Sequence, residues 1–251
     1  MTRILILGGT GEAVALAQAL HDQHPDWDLV TSLAGVTRAP VTGPGRLRQG
    51  GFGGTAGLAD YLRTEAVDAL IDATHPFAAT MAGHAEQAAG HADVARIKLV
   101  RPMWAHQSGD RWIEVDSPAG ASQALQELGA QSVFMTLGRR DLQAFADLAD
   151  TRFAVRMIEP PEAALPLSQA DLILARGPFT VEDEESQMRE RCVDALVTKA
   201  SGGDATHAKI IAARNLSVPV VMVTRPEMPE GPSAESVKAV VAWLESVLRL
   251  R

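Results

Sequence analysis

The chain has 251 residues, 46% of them apolar, and a formal net charge of −8. That length and composition allow one large or two small globular domains with a real core, and the acidic balance argues against non-specific nucleic-acid binding. Apolar runs are short and interrupted by charges, so none approaches the roughly 20 residues that span a bilayer, and the single cysteine, Cys192, cannot form an internal disulfide, which fits a reducing cytoplasm.

Taken in order, Arg3 to Leu7 reads as a buried strand, and its short apolar run suits a first strand rather than a signal peptide. A helix is expected over Glu12 to His24, a strand over Asp28 to Leu33, a helix over Leu58 to Thr64 and a strand over Asp68 to Asp72. The Ala-rich run Phe77 to Ala89 is helical, and Val94 to Val100 is a fourth strand. Arg101 to Gly109, with Pro102 and Trp104, breaks the rhythm and reads as a connector. The alternation restarts with a strand at Trp112 to Val115, a helix at Pro118 to Leu128, a strand at Ser132 to Leu137 and a helix near Asp141 to Leu148. Strands follow at Phe153 to Met157 and Leu172 to Ala175, then an acidic helix near Val181 to Arg191, a strand at Ala195 to Lys199 and a helix over Thr206 to Arg214. Val218 to Val223 is a strand and Ala234 to Leu248 a closing helix. Apolar strands alternating with helices predict an α/β protein with parallel sheets. Two successive units fit the pattern, 1–100 and 101–251, although a strand crossing between the halves is compatible with it.

Gly8-Gly9-Thr10-Gly11-Glu12-Ala13 directly follows the first strand and opens a helix. Glycines there let a backbone approach a pyrophosphate, and the helix N-terminus offers amides and positive potential. Gly9 and Gly11 match the dinucleotide fingerprint but Val14 holds its third glycine position, so the motif also suits a structural turn. The second strand ends in Thr31-Ser32-Leu33-Ala34-Gly35-Val36-Thr37-Arg38 without the acid that usually meets an NAD ribose, and Arg38 and then Arg46 are placed to pair with a 2′-phosphate. They also read as solvated surface arginines. Ser32, and Gly51 within the glycine-dense stretch Gly50 to Gly54, complete the candidate cofactor contacts. Thr74 and His75 follow the third long strand, where ligands lie in open parallel sheets. His75 is a candidate donor or proton source, and equally a helix cap before Pro76.

In the second half, basic or polar groups follow successive strands: Arg139 and Arg140, Arg156, Arg176, and Lys199-Ala200-Ser201-Gly202-Gly203. On adjacent parallel strands they converge on one crevice suited to a substrate with several carboxylates. Singly, each is also an ordinary surface charge or cap. No Cys/His group has zinc spacing, so no metal site is expected. The Tyr-x-x-x-Lys pair of short-chain reductases is absent, since Tyr61, the one tyrosine, is followed at position 65 by Glu65.

Ile6 to Ala13, Asp72-Ala73-Thr74-His75-Pro76-Phe77-Ala78, Thr136-Leu137-Gly138-Arg139, Ala175 to Phe179, Val197 to Gly203 and Val218 to Pro226 together resemble the precorrin-6A reductase family of cobalamin biosynthesis, along nearly the whole chain. The resemblance implies two Rossmann-like domains with the active site in the cleft between them, the first (1–100) binding NADPH and the second (101–251) the substrate. It also implies hydride transfer to one double bond of a macrocycle bearing many acetate and propionate arms, precorrin-6A giving precorrin-6B or the cobalt-containing analogue reacting in the same way. Gly9, Thr10, Gly11 and Glu12 would hold the pyrophosphate, Arg38 and Arg46 the 2′-phosphate, and Thr74 and His75 the nicotinamide side. Arg139, Arg176, Lys199, Ser201 and Gly202 would anchor substrate carboxylates, Lys199 alternatively reaching the cofactor. Neighbouring enzymes of the pathway are candidate partners. The other open reading is an NADPH-sensing protein without turnover.

Overall fold

The structure is a computed structural model and describes residues 1–35 and 41–249. The chain divides into two compact units, Met1–Arg101 with Pro226–Arg251, and Pro102–Arg225. The first begins with β1 (Arg3–Leu7), α1 (Gly11–Gln23), β2 (Asp28–Leu33), β3 (Arg46–Gln49), α2 (Gly54–Thr64), β4 (Ala69–Asp72), α3 (Ala79–Ala92) and β5 (Ala95–Leu99). The second holds β6 (Trp112–Val115), α4 (Pro118–Leu128), β7 (Ser132–Met135), a 3-10 turn at Arg139–Phe145, β8 (Arg152–Met157) and β9 (Ala170–Leu174). It continues with α5 (Val181–Glu190), β10 (Ala195–Lys199), a 3-10 turn at Asp204–Thr206, α6 (Ala208–Asn215) and β11 (Val220–Val223). The chain then returns to the first unit as β12 (Ser233–Ala234) and α7 (Val237–Leu248).

Each unit contains one six-stranded sheet, ordered β3-β2-β1-β4-β5-β12 in the first and β9-β8-β7-β10-β11-β6 in the second. All strand pairs in both are parallel. Both follow the Rossmann order 3-2-1-4-5-6, in which the chain reverses direction across the sheet beside the central strand. Position six is filled unexpectedly in each: β6 occupies it in the second sheet although it precedes that sheet's other strands, and the C-terminal β12 occupies it in the first.

The expected second domain of 101–251 is corrected accordingly. The reason is visible in the packing of the returning segment. β12 pairs with Lys98 and Leu99 of β5, and Arg96 donates to the Glu230 carbonyl at 2.7 Å. The apolar stripe Val240, Val241 and Leu244 of α7 then joins Leu16 and Leu20 of α1 over Ile4, Ile71, Ile97 and Leu99. On the other face Leu58 and Leu62 of α2 and Ala85, Ala88 and Ala89 of α3 cover Leu5, Leu7 and Leu70. Burial on both faces explains why these strands are continuously apolar rather than alternating. Two further expectations change in detail: the predicted helix near Asp141 is a 3-10 turn, and the last helix starts at Val237 because Ser233 and Ala234 are in a strand.

Candidate active site

Parallel pairing brings the carboxyl ends of β1, β2, β3 and β4 to one edge of the first sheet. After β1, Gly9 adopts φ +105°, a conformation that favours glycine, and a Cβ added at Gly9 or Gly11 would meet nothing within 4 Å. Thr10 caps α1, its Oγ1 accepting from the Ala13 amide at 3.2 Å and donating to the Ala73 carbonyl at 2.8 Å. One side chain thus fixes the helix start and ties it to the loop after β4. The amides of Gly11 and Glu12 find no acceptor among the described residues and, with the helix dipole, suit an anion. The Glu12 carboxylate is neutralised by Arg101 at 2.8 Å, which keeps its charge from repelling that anion. This open, amide-lined turn fits a dinucleotide pyrophosphate.

At the end of β4 lies a charge cluster that sequence reasoning missed. Asp72 is fully buried, and Lys98 of β5, itself buried, donates to its Oδ2 at 2.7 Å. The Thr74 hydroxyl donates to Asp72 Oδ1 at 2.7 Å and accepts from Lys98 Nζ at 3.1 Å, while the Thr74 amide also donates to Oδ1 at 3.1 Å. A hydroxyl has one donor and two acceptor positions. With the donor and one acceptor used, the Thr74 hydroxyl has one acceptor position left, oriented by a buried ion pair. His75 follows, and its Nδ1 accepts the Phe77 amide at 3.2 Å. That bond assigns the ring proton to Nε2, so His75 can offer an Nε2–H donor.

The sequence candidates near β2 separate. Ser32 is buried at the carboxyl end of β2 and accepts from Arg48 Nη1 at 3.2 Å. Gly51 lies on the same edge, its carbonyl accepting from Arg48 Nη2 at 2.9 Å. Arg46 does not join them. The β2–β3 register pairs it with Val30, and its guanidinium turns toward the amino edge to clasp Asp28 at 2.7 and 3.0 Å. The Arg46 hydrogen bond holds the Asp28 carboxyl below the usual range. Arg38 lies outside the described residues.

In the second unit β10, β7, β8 and β9 are neighbours, so Lys199, Arg139, Arg156 and Arg176 all sit at or just beyond carboxyl strand ends on one edge. Arg139 and Arg176 are exposed there. Lys199 pairs with Asp141 of the 3-10 turn at 2.7 Å. Arg156 is half-buried, paired with the buried Glu184 at 2.9 Å and stacked on Phe179 at 3.8 Å, which gives it a supporting place. The turn after β10 is clamped from behind, since Arg225 donates to the Ala200 and Ser201 carbonyls at 2.8 and 2.9 Å. The amides of Ser201 and Gly203 bond to the Lys199 and Pro102 carbonyls, leaving that of Gly202 as the one of the three without an acceptor among the described residues. A cavity of about 430 Å³ opens instead at the amino-terminal edge, lined by Ser132, Arg152, Gln169 and Cys192, away from these groups. Among the described residues no cluster suits a metal ion and no helix is long and apolar enough to cross a membrane.

Comparison with known proteins identifies the family. The model of the family described as Precorrin-6x reductase CbiJ/CobK matches residues 3–245. A Rhodococcus erythropolis protein named Precorrin-6A reductase is 48% identical over 99% of this chain and 100% of its own length. A Rhodobacter capsulatus protein of the same name is 43% identical over 97% of this chain and 96% of its own. The solved structure titled CobK precorrin-6A reductase superposes with a TM-score of 0.93 at 42% identity, covering 98% of this chain and 97% of that one.

Proposed function

The chain belongs to the Precorrin-6x reductase CbiJ/CobK family, and we propose that it reduces precorrin-6A to precorrin-6B in cobalamin biosynthesis with NADPH as the electron donor. What supports the donor is the open glycine turn at Gly9 and Gly11, with its unclaimed amides, at the carboxyl edge of a Rossmann-ordered sheet. When bound, NADPH supplies the hydride. The protein's own contribution is positioning, since reacting carbons must be held roughly 3–3.5 Å apart. Gly9, Thr10, Gly11 and Glu12 receive the pyrophosphate. The acceptor position left on Thr74, set by Asp72 and Lys98, suits an amide N–H, and the Nε2–H of His75 suits a carbonyl, so the pair can orient a carboxamide.

The carboxyl edge of the second unit takes the macrocycle. Arg139 and Arg176 offer forks to acetate and propionate arms, and Lys199, Ser201 and the Gly202 amide receive another. The Lys199–Asp141 pair keeps the lysine in place between turnovers. Water serves as the proton source in this scheme. His75 then acts as a hydrogen-bond donor, and His75→Ala should lower turnover only a few-fold, against the 10²–10⁴-fold typical of a general acid.

The test is loss of the NADPH absorbance band with purified protein and precorrin-6A, its cobalt form or no acceptor. Oxidation that requires the macrocycle is expected, faster with the cobalt-free form. NADPH binding without oxidation by either acceptor would sink the reductase reading and leave a sensor of the dinucleotide.

A further inference from the structure

We infer that Arg48 reads the 2′-phosphate of the dinucleotide and so sets the preference for NADPH over NADH; the inference rests on the reading above that the first unit takes NADPH. Strand register is the first reason. β2 and β3 pair Ser32 with Arg48, at the carboxyl edge where the cofactor turn lies, and Arg46 with Val30. The Arg46 guanidinium is bound to Asp28, four residues before Ser32 and hence about 13 Å along the strand at about 3.3 Å per residue.

The second reason is how Arg48 is held. Its Nη1 donates to Ser32 Oγ at 3.2 Å and to the Gly50 carbonyl at 2.6 Å, and its Nη2 to the Gly51 carbonyl at 2.9 Å. Its guanidinium carbon lies 3.7 Å from the centre of the Phe52 ring. Each of these partners is neutral, and among the described residues no carboxylate pairs with Arg48. Of the five N–H donors of a guanidinium these three bonds use three, so Nε–H and one Nη2–H remain. The fork is therefore fixed in plane and position while its charge is uncompensated, as an oxyanion requires.

The surroundings admit a phosphate. The end of β2, Thr31 to Gly35, carries no acid to repel it. A Cβ added at Gly50 or Gly51 would meet nothing within 4 Å.

Calorimetry on the full-length protein tests this with adenosine 2′,5′-bisphosphate against 5′-AMP, and NADPH against NADH. The wild type is expected to bind the 2′-phosphorylated member of each pair about 10–100-fold more tightly. In Arg48→Met that gap should fall to within about threefold, with 5′-AMP and NADH bound as before. Arg46→Met should keep the gap. If the wild type shows the gap and Arg48→Met retains it, Arg48 is overturned while NADPH use stands. A wild type without the gap overturns both. Equal weakening of NADH and NADPH in Arg48→Met would mark the residue as a scaffold for the loop and also refute the inference.

Discussion

Lys98 and Asp72 form the most buried ion pair among the described residues of the first unit. A charge taken out of water costs several kcal/mol unless a partner and further hydrogen bonds compensate it, and here Thr74 supplies the further bonds. Lys98→Met removes one charge and strands the other, so unfolding in urea should show a loss of roughly 3–5 kcal/mol. The double variant Asp72→Leu, Lys98→Met should recover much of that stability while weakening cofactor binding, because the orientation of Thr74 is lost as well. A single-variant loss below about 1 kcal/mol would mean that water reaches the pair. The pair is not legible in the sequence, where Asp72 figures only within a motif and Arg-Ile-Lys-Leu-Val reads as a strand with two ordinary charges until pairing places Lys98 beside Asp72.

Strand ends and the turns after them hold the candidate site residues, and they differ in how openly the sequence shows them. The turn after β1 was legible because strand, glycines, cap and helix are contiguous and their physics is local. Arg48 was not, because the choice between it and Arg46 depends on a register set by pairing between two strands. β3 itself was missed, as an edge strand of sequence Arg-Leu-Arg-Gln has no apolar pattern to announce it. In the second unit Ser201 and Gly202 of the turn after β10 are expected to anchor carboxylates, yet of the amides of Ser201, Gly202 and Gly203 two are spent internally. Gly202 shows why that turn tolerates little change. It holds φ +65°, and an added Cβ would run into the Pro102 carbonyl and the Arg225 guanidinium. Gly202→Ala should therefore cost about 1–3 kcal/mol in thermal or urea unfolding. It should also raise KM for the macrocycle more than KM for NADPH; an unchanged macrocycle KM would remove this turn from the substrate site.

At the scale of the whole chain, the return of the last 26 residues to the first unit was the feature least accessible from sequence. β12 is two residues long, and an amphipathic helix at the end of a chain fits either neighbour. Its contribution is nevertheless large. Without it the amides of Lys98 and Val100 lose the Pro232 and Ala234 carbonyls, and the core under α1 loses Val240, Val241 and Leu244. A chain ending at Arg225 should keep a folded second unit, residues 102–225, while the first shows broad amide-exchange loss and a tendency to aggregate through the bare edge of β5. Equal protection of both units in that truncation would contradict the division.

The same connectivity governs the order of events on the ribosome. The part made first cannot finish first: its sheet waits at β5 until β12 has been synthesised more than a hundred residues later, on the order of ten seconds at typical translation rates. The uninterrupted second unit can close in the interval, so the first unit is expected to be the last to mature and the more dependent on a chaperone that shields an open strand.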